Sequence, residues 1–222
     1  MKKIYIISLA IILLAMLTAC GGSASTTQNP AVDRLEDLAQ QYAGGSMRGF
    51  WDGNVFTNEH LGLQFTMPDD WEAIADREIA ELAGSGMEYL VDGTDLAELM
   101  DLADVTIFFD MAALSRLTRG QVQIIYERIP PAIEISMPEF IEITAEVNMQ
   151  LGFDVNLNIT GTTRIGAYDW YSYESSIIDR SGIRSYLRHF IIMKDGFAIT
   201  INIGHNEVSE SVEEILAMFS PL

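Results

Sequence analysis

The chain has 222 residues, of which 49% are hydrophobic, and it carries 13 Lys and Arg against 32 Asp and Glu, a formal net charge of −19. This length suits one sizeable domain with extensions, and the apolar content supports a buried core, which excludes a globally disordered chain. The sequence has no basic patch, and so acidic a chain repels phosphate backbones. A nucleic-acid-binding module is therefore excluded.

The first twenty residues predict a lipoprotein signal peptide. Lys2 and Lys3 precede an apolar run from Ile4 to Ala19, which at 16 residues is shorter than the roughly 20 that a transmembrane helix needs. The run ends in Leu-Thr-Ala-Cys at Cys20, which resembles the lipobox of bacterial lipoproteins. We expect removal of residues 1–19 and lipidation of Cys20, whose acyl chains would anchor the protein at the extracellular face of the cell membrane. The alternative is an ordinary signal peptide with an accidental cysteine.

Residues 20–48 are predicted to be a tether, because residues 21–29 are small and polar. A short helix or a continued linker follows within the tether. The folded domain is predicted over residues 49–222. Its first half alternates strand and helix patterns. The strands are predicted at Asn54–Asn58, Leu63–Thr66, Val105–Ala112 and Gln121–Ile129. The helices are predicted at Asp76–Tyr89, in an acidic stretch ending at Asp104, and from Met137 or Pro138 to Leu151.

Residues 153–204 predict four consecutive antiparallel strands. The first segment, FDVNLNIT, and the last, GFAITINIG, alternate apolar and polar residues without a fault. The two segments between them are rich in aromatic and β-branched residues. Asp195-Gly196 lies between the last two strands and is a strong hairpin signal. A helix over Val208–Phe219, capped by Asn206 or Ser209, is predicted to close the chain.

This order of elements resembles the PsbP-like fold, which is shared by the extrinsic photosystem II protein and the Ran-binding nuclear import factor family. The resemblance covers residues 50–222. It is carried by the hairpin VFTNEHLGLQFTMPDDW, by Lys194 and Gly196 at the last turn, and by the closing segment ILAMFSPL. The chain also resembles secreted lipoproteins of Gram-positive bacteria that have a GNV(Y/F)TNE-type hairpin after a lipobox.

The resemblance implies an α+β fold in which a central antiparallel β-sheet is flanked by helices on both faces, an α/β/α sandwich. It also implies a binding or accessory role. Members of the family share no catalytic constellation, so the resemblance assigns no functional residues to this chain.

Aromatic and arginine residues on the four predicted strands are the best candidates for a partner-binding surface. Tyr168 with Trp170, and Tyr186 with Arg188, recur at the period of two that places side chains on one face of a strand. These residue types are enriched at interaction hot spots. The alternative is that the aromatic rings pack under a covering helix while the arginines pair with surplus carboxylates. We expect His189 to be a structural histidine with satisfied hydrogen bonds.

A second set of candidates is acidic. Carboxylates could supply the oxygen ligands that Ca²⁺ prefers, either from Asp92, Asp95, Asp101 and Asp104 or from Asp69 with Asp70. The alternative is a solvated acidic helix face. The sequence has no zinc-ligand spacing, no nucleotide-binding glycine motif and no nucleophile elbow.

These patterns predict a lipid-anchored extracellular module that binds another envelope protein or component, without catalysis or a cofactor. The alternatives are a small-ligand or divalent-cation-binding lipoprotein and, less favoured, an envelope hydrolase.

Overall fold

The computed structural model describes residues 47–75, 78, 107–131, 133–150, 153–157, 162–178, 184–206 and 209–222. The elements in these ranges are mostly strands. They are β1 (Phe50–Asp52), β2 (Val55–Asn58), β3 (Leu63–Thr66), β4 (Trp71–Ala73), β5 (Ile107–Ser115), β6 (Gln121–Arg128), α1 (Met137–Gln150), β7 (Asp154–Asn156), β8 (Thr162–Ile165), β9 (Tyr168–Ile178), β10 (Arg184–Lys194), β11 (Phe197–His205), α2 (Val212–Leu216) and β12 (Phe219–Pro221). The helix predicted over 76–89, apart from residue 78, and the acidic stretch up to Asp104 lie outside these ranges.

The strands form two antiparallel sheets. The large sheet has eight strands in the order β4-β5-β6-β11-β10-β9-β7, with β8 also paired to β9. The small sheet has the order β1-β2-β3-β12. Its last pair joins distant parts of the chain, because Phe219 in β12 lies opposite Phe65 in β3.

The main core lies between the two sheets. Phe56 and Phe65 of the small sheet belong to the same buried cluster as Phe108, Ile199 and Ile201 of the large sheet. Helix α1 covers the opposite face of the large sheet. There Phe140 and Ile141 of α1 pack with residues of the large sheet, namely Tyr173, Ile191 and Ala198. Alternation along β11 places Ile199 against the small sheet and Ala198 against α1, as the period of two requires.

The predicted α/β/α sandwich with helices on both faces is wrong. In the described part of the chain, a β-sheet covers one face of the large sheet and a helix covers the other. The closing segment is the main cause. The helix predicted over Val208–Phe219 is observed as α2, and the chain then extends into β12, which pairs with β3. There the tilted rings of Phe219 and Phe65 pack with centroids 5.0 Å apart. The N-cap prediction is also wrong, since Ser211 caps α2 in a capping box with Glu214.

The predicted strands over residues 167–204 are confirmed as β9, β10 and β11, and so is the turn that joins the last two. Asp195 and Gly196 both have positive φ, at 51° and 80°, as the favoured two-residue hairpin turn requires. Of the strand predicted over 153–160, β7 covers Asp154–Asn156, and residues 158–160 lie outside the described ranges. β7 and β8 pair with different stretches of the same edge of β9.

No helix in the described ranges is long and apolar enough to cross a membrane.

Candidate functional site

The large sheet separates the four residues predicted to bind a partner. All four lie on the face that carries the main core, but at opposite ends of it. Trp170 is fully buried, and its indole N–H donates to the carbonyl of Ile165 at 2.9 Å. Tyr168 packs at the edge of the same core, with the Lys194 ammonium 5.6 Å from its ring centre. Both rings therefore pack in or against the main core, but the cover over this face is the small sheet and not the helix that the alternative interpretation expected.

Tyr186 and Arg188 lie at the other end of β10, where their side chains are partly exposed. Trp170 lies level with Ile192, six residues along β10 from Tyr186, so the two groups are roughly 20 Å apart at about 3.4 Å per residue. Tyr186 pairs with His205 across the sheet, and Arg188 pairs with Glu174. We call Glu174, Tyr186, Arg188 and His205 the meander patch.

Cross-strand contacts organise the meander patch. The Arg188 guanidinium donates to the Glu174 carboxylate at 2.9 Å, and the two side chains are 32% and 33% exposed. The rings of Tyr186 and His205 stack with centroids 5.3 Å apart. Burial lowers the pKa of His205, with Arg188 acting in the same direction against the opposing charge of Glu174. His205 is therefore neutral at pH 7 and can either donate or accept a hydrogen bond through Nε2.

Two nitrogen atoms of the meander patch have no hydrogen-bond partner among the described residues. They are Nε of Arg188 and Nε2 of His205, and both are shielded from solvent. An unmade hydrogen bond at a buried polar group costs about 1–3 kcal/mol. The patch therefore holds hydrogen-bonding capacity that its own side chains do not use.

A second polar group lies on the opposite face of the large sheet, under the side covered by α1. His189 is fully buried, with Nε2 2.8 Å from the Ser175 hydroxyl and Nδ1 2.7 Å from Oδ1 of Asn202. Because the amide oxygen can only accept, Nδ1 carries the proton, and Nε2 accepts from Ser175. The prediction that His189 is a structural histidine with satisfied hydrogen bonds is confirmed. Burial lowers its pKa to about 4.

The Ser175–His189–Asn202 chain has the connectivity of a nucleophile, a base and an orienting group. A nucleophile must be accessible to its substrate, whereas Ser175 is only 1% exposed, so the surroundings of this chain differ from those of a catalytic triad. Ser175 also lies opposite both Leu187 and Val155, in the middle of a paired strand. We interpret the chain as core hydrogen bonds that fix the register of β9, β10 and β11.

Glu127 is a further buried polar residue on the α1 side of the large sheet. It lies between Ile107 and Ala198 in the ladder and is 6% exposed. Burial raises its pKa to about 8. The carboxyl group is therefore mostly protonated, and neutral, at pH 7.

The acidic candidates Asp92, Asp95, Asp101 and Asp104 lie outside the described residues, and the Ca²⁺ site stays a prediction. The described ranges contain no group of three or more His, Cys, Asp or Glu side chains placed to hold a metal ion. Cys20 also lies outside them, and its lipidation stays a prediction.

Comparison with known proteins gives only distant structural similarity. No protein-family model matches the chain, and no curated protein matches it. A cyanobacterial PsbP (CyanoP) from Synechocystis has 12% identity and a TM-score of 0.40 over 81% of this chain and 95% of its own. LpqN, described as involved in cell envelope biogenesis of Mycobacterium tuberculosis, has 8% identity and a TM-score of 0.36 over 70% and 76%.

A protein from Bacteroides thetaiotaomicron has 9% identity and a TM-score of 0.34 over 72% of this chain and 45% of its own. PsbP is also the family that the order of elements resembles. At these TM-scores no functional residue is transferred to this chain.

Proposed function

We propose that this protein is a lipid-anchored binding or accessory module at the extracellular face of the cell membrane, and that the meander patch is its partner-binding surface. The membrane assignment is supported by the N-terminal sequence, in which two lysines precede an apolar run and a Leu-Thr-Ala-Cys motif ends at Cys20. The binding surface is supported by one observation: the nitrogens of Arg188 and His205 that make no hydrogen bond lie beside the Arg188–Glu174 ion pair, which is about one-third exposed.

The chemistry of the patch favours a partner with hydrogen-bond acceptors. The Arg188 Nε–H can only donate, and a neutral His205 can donate from Nε2. Both nitrogens are shielded from solvent in the free protein, so a partner carbonyl can satisfy them only when the partly exposed Arg188 and His205 side chains shift on binding. Tyrosine and arginine are also the residue types that contribute most at the centres of protein interfaces. We therefore expect another envelope protein or component that presents carbonyl groups to this surface.

Crosslinking on intact cells tests the proposal. The native protein is compared with Tyr186→Ala/Arg188→Ala, and species that co-purify with each are identified. The matched control is Tyr171→Ala/Arg164→Ala, which removes the same two residue types at exposed positions outside the patch, where Tyr171 is 39% exposed and the Arg164 side chain is 62% exposed.

We expect a discrete partner that co-purifies with the native protein and with the control variant but not with the patch variant. Retention of that partner by the patch variant, or its equal loss from both variants, would refute the assignment of the surface.

A further inference from the structure

A groove lies at the end of the large sheet that is far from the meander patch. It has a volume of about 700 Å³ and runs between the connection from β6 to α1 and the turn from β10 to β11. Protein sites for organic ligands commonly have volumes of about 300–1,000 Å³ and mostly apolar walls. The apolar walls here include Ile129, Pro130, Ile133, Ile135, Met193 and Phe197. We call this feature the turn groove.

The rim of the turn groove is acidic. Among the described residues that line the groove, Glu134, Glu139 and Asp195 are acidic and Lys194 alone is basic. Lys194 is already engaged, because its ammonium group donates to the Asp195 carboxylate. That hydrogen bond raises the pKa of Lys194 and lowers the pKa of Asp195, so both are charged at neutral pH. The rim therefore has two carboxylates more than it has ammonium groups.

Glu139 has a fixed orientation at the rim. One of its carboxylate oxygens accepts from both the backbone N–H and the hydroxyl of Ser136. These hydrogen bonds lower the pKa of Glu139, so it is ionised at neutral pH. Glu134 and Glu139 are both exposed. Their charges are thus available to a group that enters the groove.

We propose that the turn groove binds a segment of a partner protein in which an apolar side chain is adjacent to a Lys or Arg. An apolar side chain of the partner that packs against the apolar walls leaves water, and this burial contributes favourable binding free energy. The excess of rim carboxylates attracts a cation and repels acidic segments, and the net charge of −19 makes the long-range field favour a basic partner.

The turn groove is separate from the surface proposed above. Lys194 at the groove and Tyr186 in the meander patch are eight residues apart on β10, a distance of about 27 Å at 3.4 Å per residue. Failure of either surface in its own test leaves the other proposal standing.

The inference is tested by measuring how three short peptides bind to the full-length protein, with backbone amide NMR to locate the site and calorimetry to measure affinity. The peptides, acetylated and amidated, are Gly-Leu-Lys-Leu-Arg-Gly, its acidic counterpart Gly-Leu-Glu-Leu-Glu-Gly, and the polar counterpart Gly-Ser-Lys-Ser-Arg-Gly. We expect only the first to bind, with amide shifts concentrated in residues 129–139 and 193–197. Equal binding of the first and third peptides, or no shift in those residues, would overturn the inference.

Charge variants separate the rim from the general acidity of the chain. Glu134→Gln/Asp195→Asn removes two rim charges and should weaken binding of the first peptide at least tenfold. Asparagine tolerates the positive φ of position 195, so the turn is kept. The control Glu142→Gln/Glu146→Gln removes the same charge from exposed positions of α1 that do not line the groove, and should change affinity less than twofold.

An equal loss of affinity in both variants would mean that only net charge acts, and would overturn the inference. If the double rim variant melts at a lower temperature than the native protein, Glu134→Gln alone, at an exposed position, gives the decisive comparison.

Discussion

Glu127→Gln should remove a pH dependence of stability that the native protein has between about pH 4.5 and pH 8. The carboxyl group titrates near its usual value of 4.5 in the unfolded chain, and burial raises its pKa to about 8 in the folded protein. Between these pH values the folded state holds one more proton than the unfolded chain. The free energy of unfolding therefore falls as the pH rises through this window.

The size of the effect follows from the two pKa values. Each pKa unit corresponds to 1.36 kcal/mol, so the native protein should lose about 5 kcal/mol more than Glu127→Gln across the whole window. Glutamine keeps the shape of the protonated acid and cannot ionise. A change in hydrogen bonding caused by the amide adds a constant offset, which does not depend on pH.

Urea unfolding followed by tryptophan fluorescence measures this difference at pH values from 4.5 to 8.5 and constant ionic strength. The slope with urea should stay the same in all proteins, so that midpoints report stability. Glu142→Gln, an exposed substitution on α1, is the control and should follow the native protein. A difference between native protein and Glu127→Gln that does not vary with pH would show that Glu127 is ionised in the fold, and would refute the reasoning.

Three further predictions concern other residues. His189→Gln should remove an acid-side loss of stability, because the buried imidazole has a pKa lowered to about 4 from 6.5; in the native protein about 3 kcal/mol is lost as the pH falls from 6.5 to 4, measurable by the same urea series. Trp170→Ala should lower the free energy of unfolding by about 3–5 kcal/mol because the indole is fully buried. Tyr186→Ala, at a partly exposed position, should lower it by less than about 1 kcal/mol. Equal losses of the two variants in thermal melts would contradict the assignment of Trp170 to the core and Tyr186 to the surface. Cys20→Ser should release the protein from the membrane fraction into the medium, and retention in the membrane after fractionation would argue against a lipid anchor.

Strand positions were predictable because alternation and turn chemistry are local signals. The Asp195-Gly196 turn fixes the register of β10 and β11, and counting back from it pairs His189 with Asn202. Both are polar residues on a buried face of their strands, which is a signal that sequence reasoning could have used. This pairing of polar residues would have predicted, from the sequence alone, the hydrogen bond between His189 and Asn202.

The burial of Trp170 was not predictable from its own strand. Alternation shows which face a side chain occupies, but the cover over that face comes from β2 and β3, more than 100 residues earlier in the chain. β12 was missed because Ile215, Leu216 and Phe219 also have helical spacing. The turn groove was missed for a similar reason, since its walls come from a connection without regular structure and from a turn.

The pairing of β12 with β3 has a consequence for how the protein becomes folded. Phe65 and its partner Phe219 come from almost opposite ends of the domain, and contacts of such long sequence separation close large loops before they gain any energy, which slows folding. The small sheet cannot be completed until residues 219–221 are available to pair with β3. Until that pairing forms, the apolar residues of β2 and β3 lack their full cover, and such incompletely paired strands are open to chaperones and to aggregation.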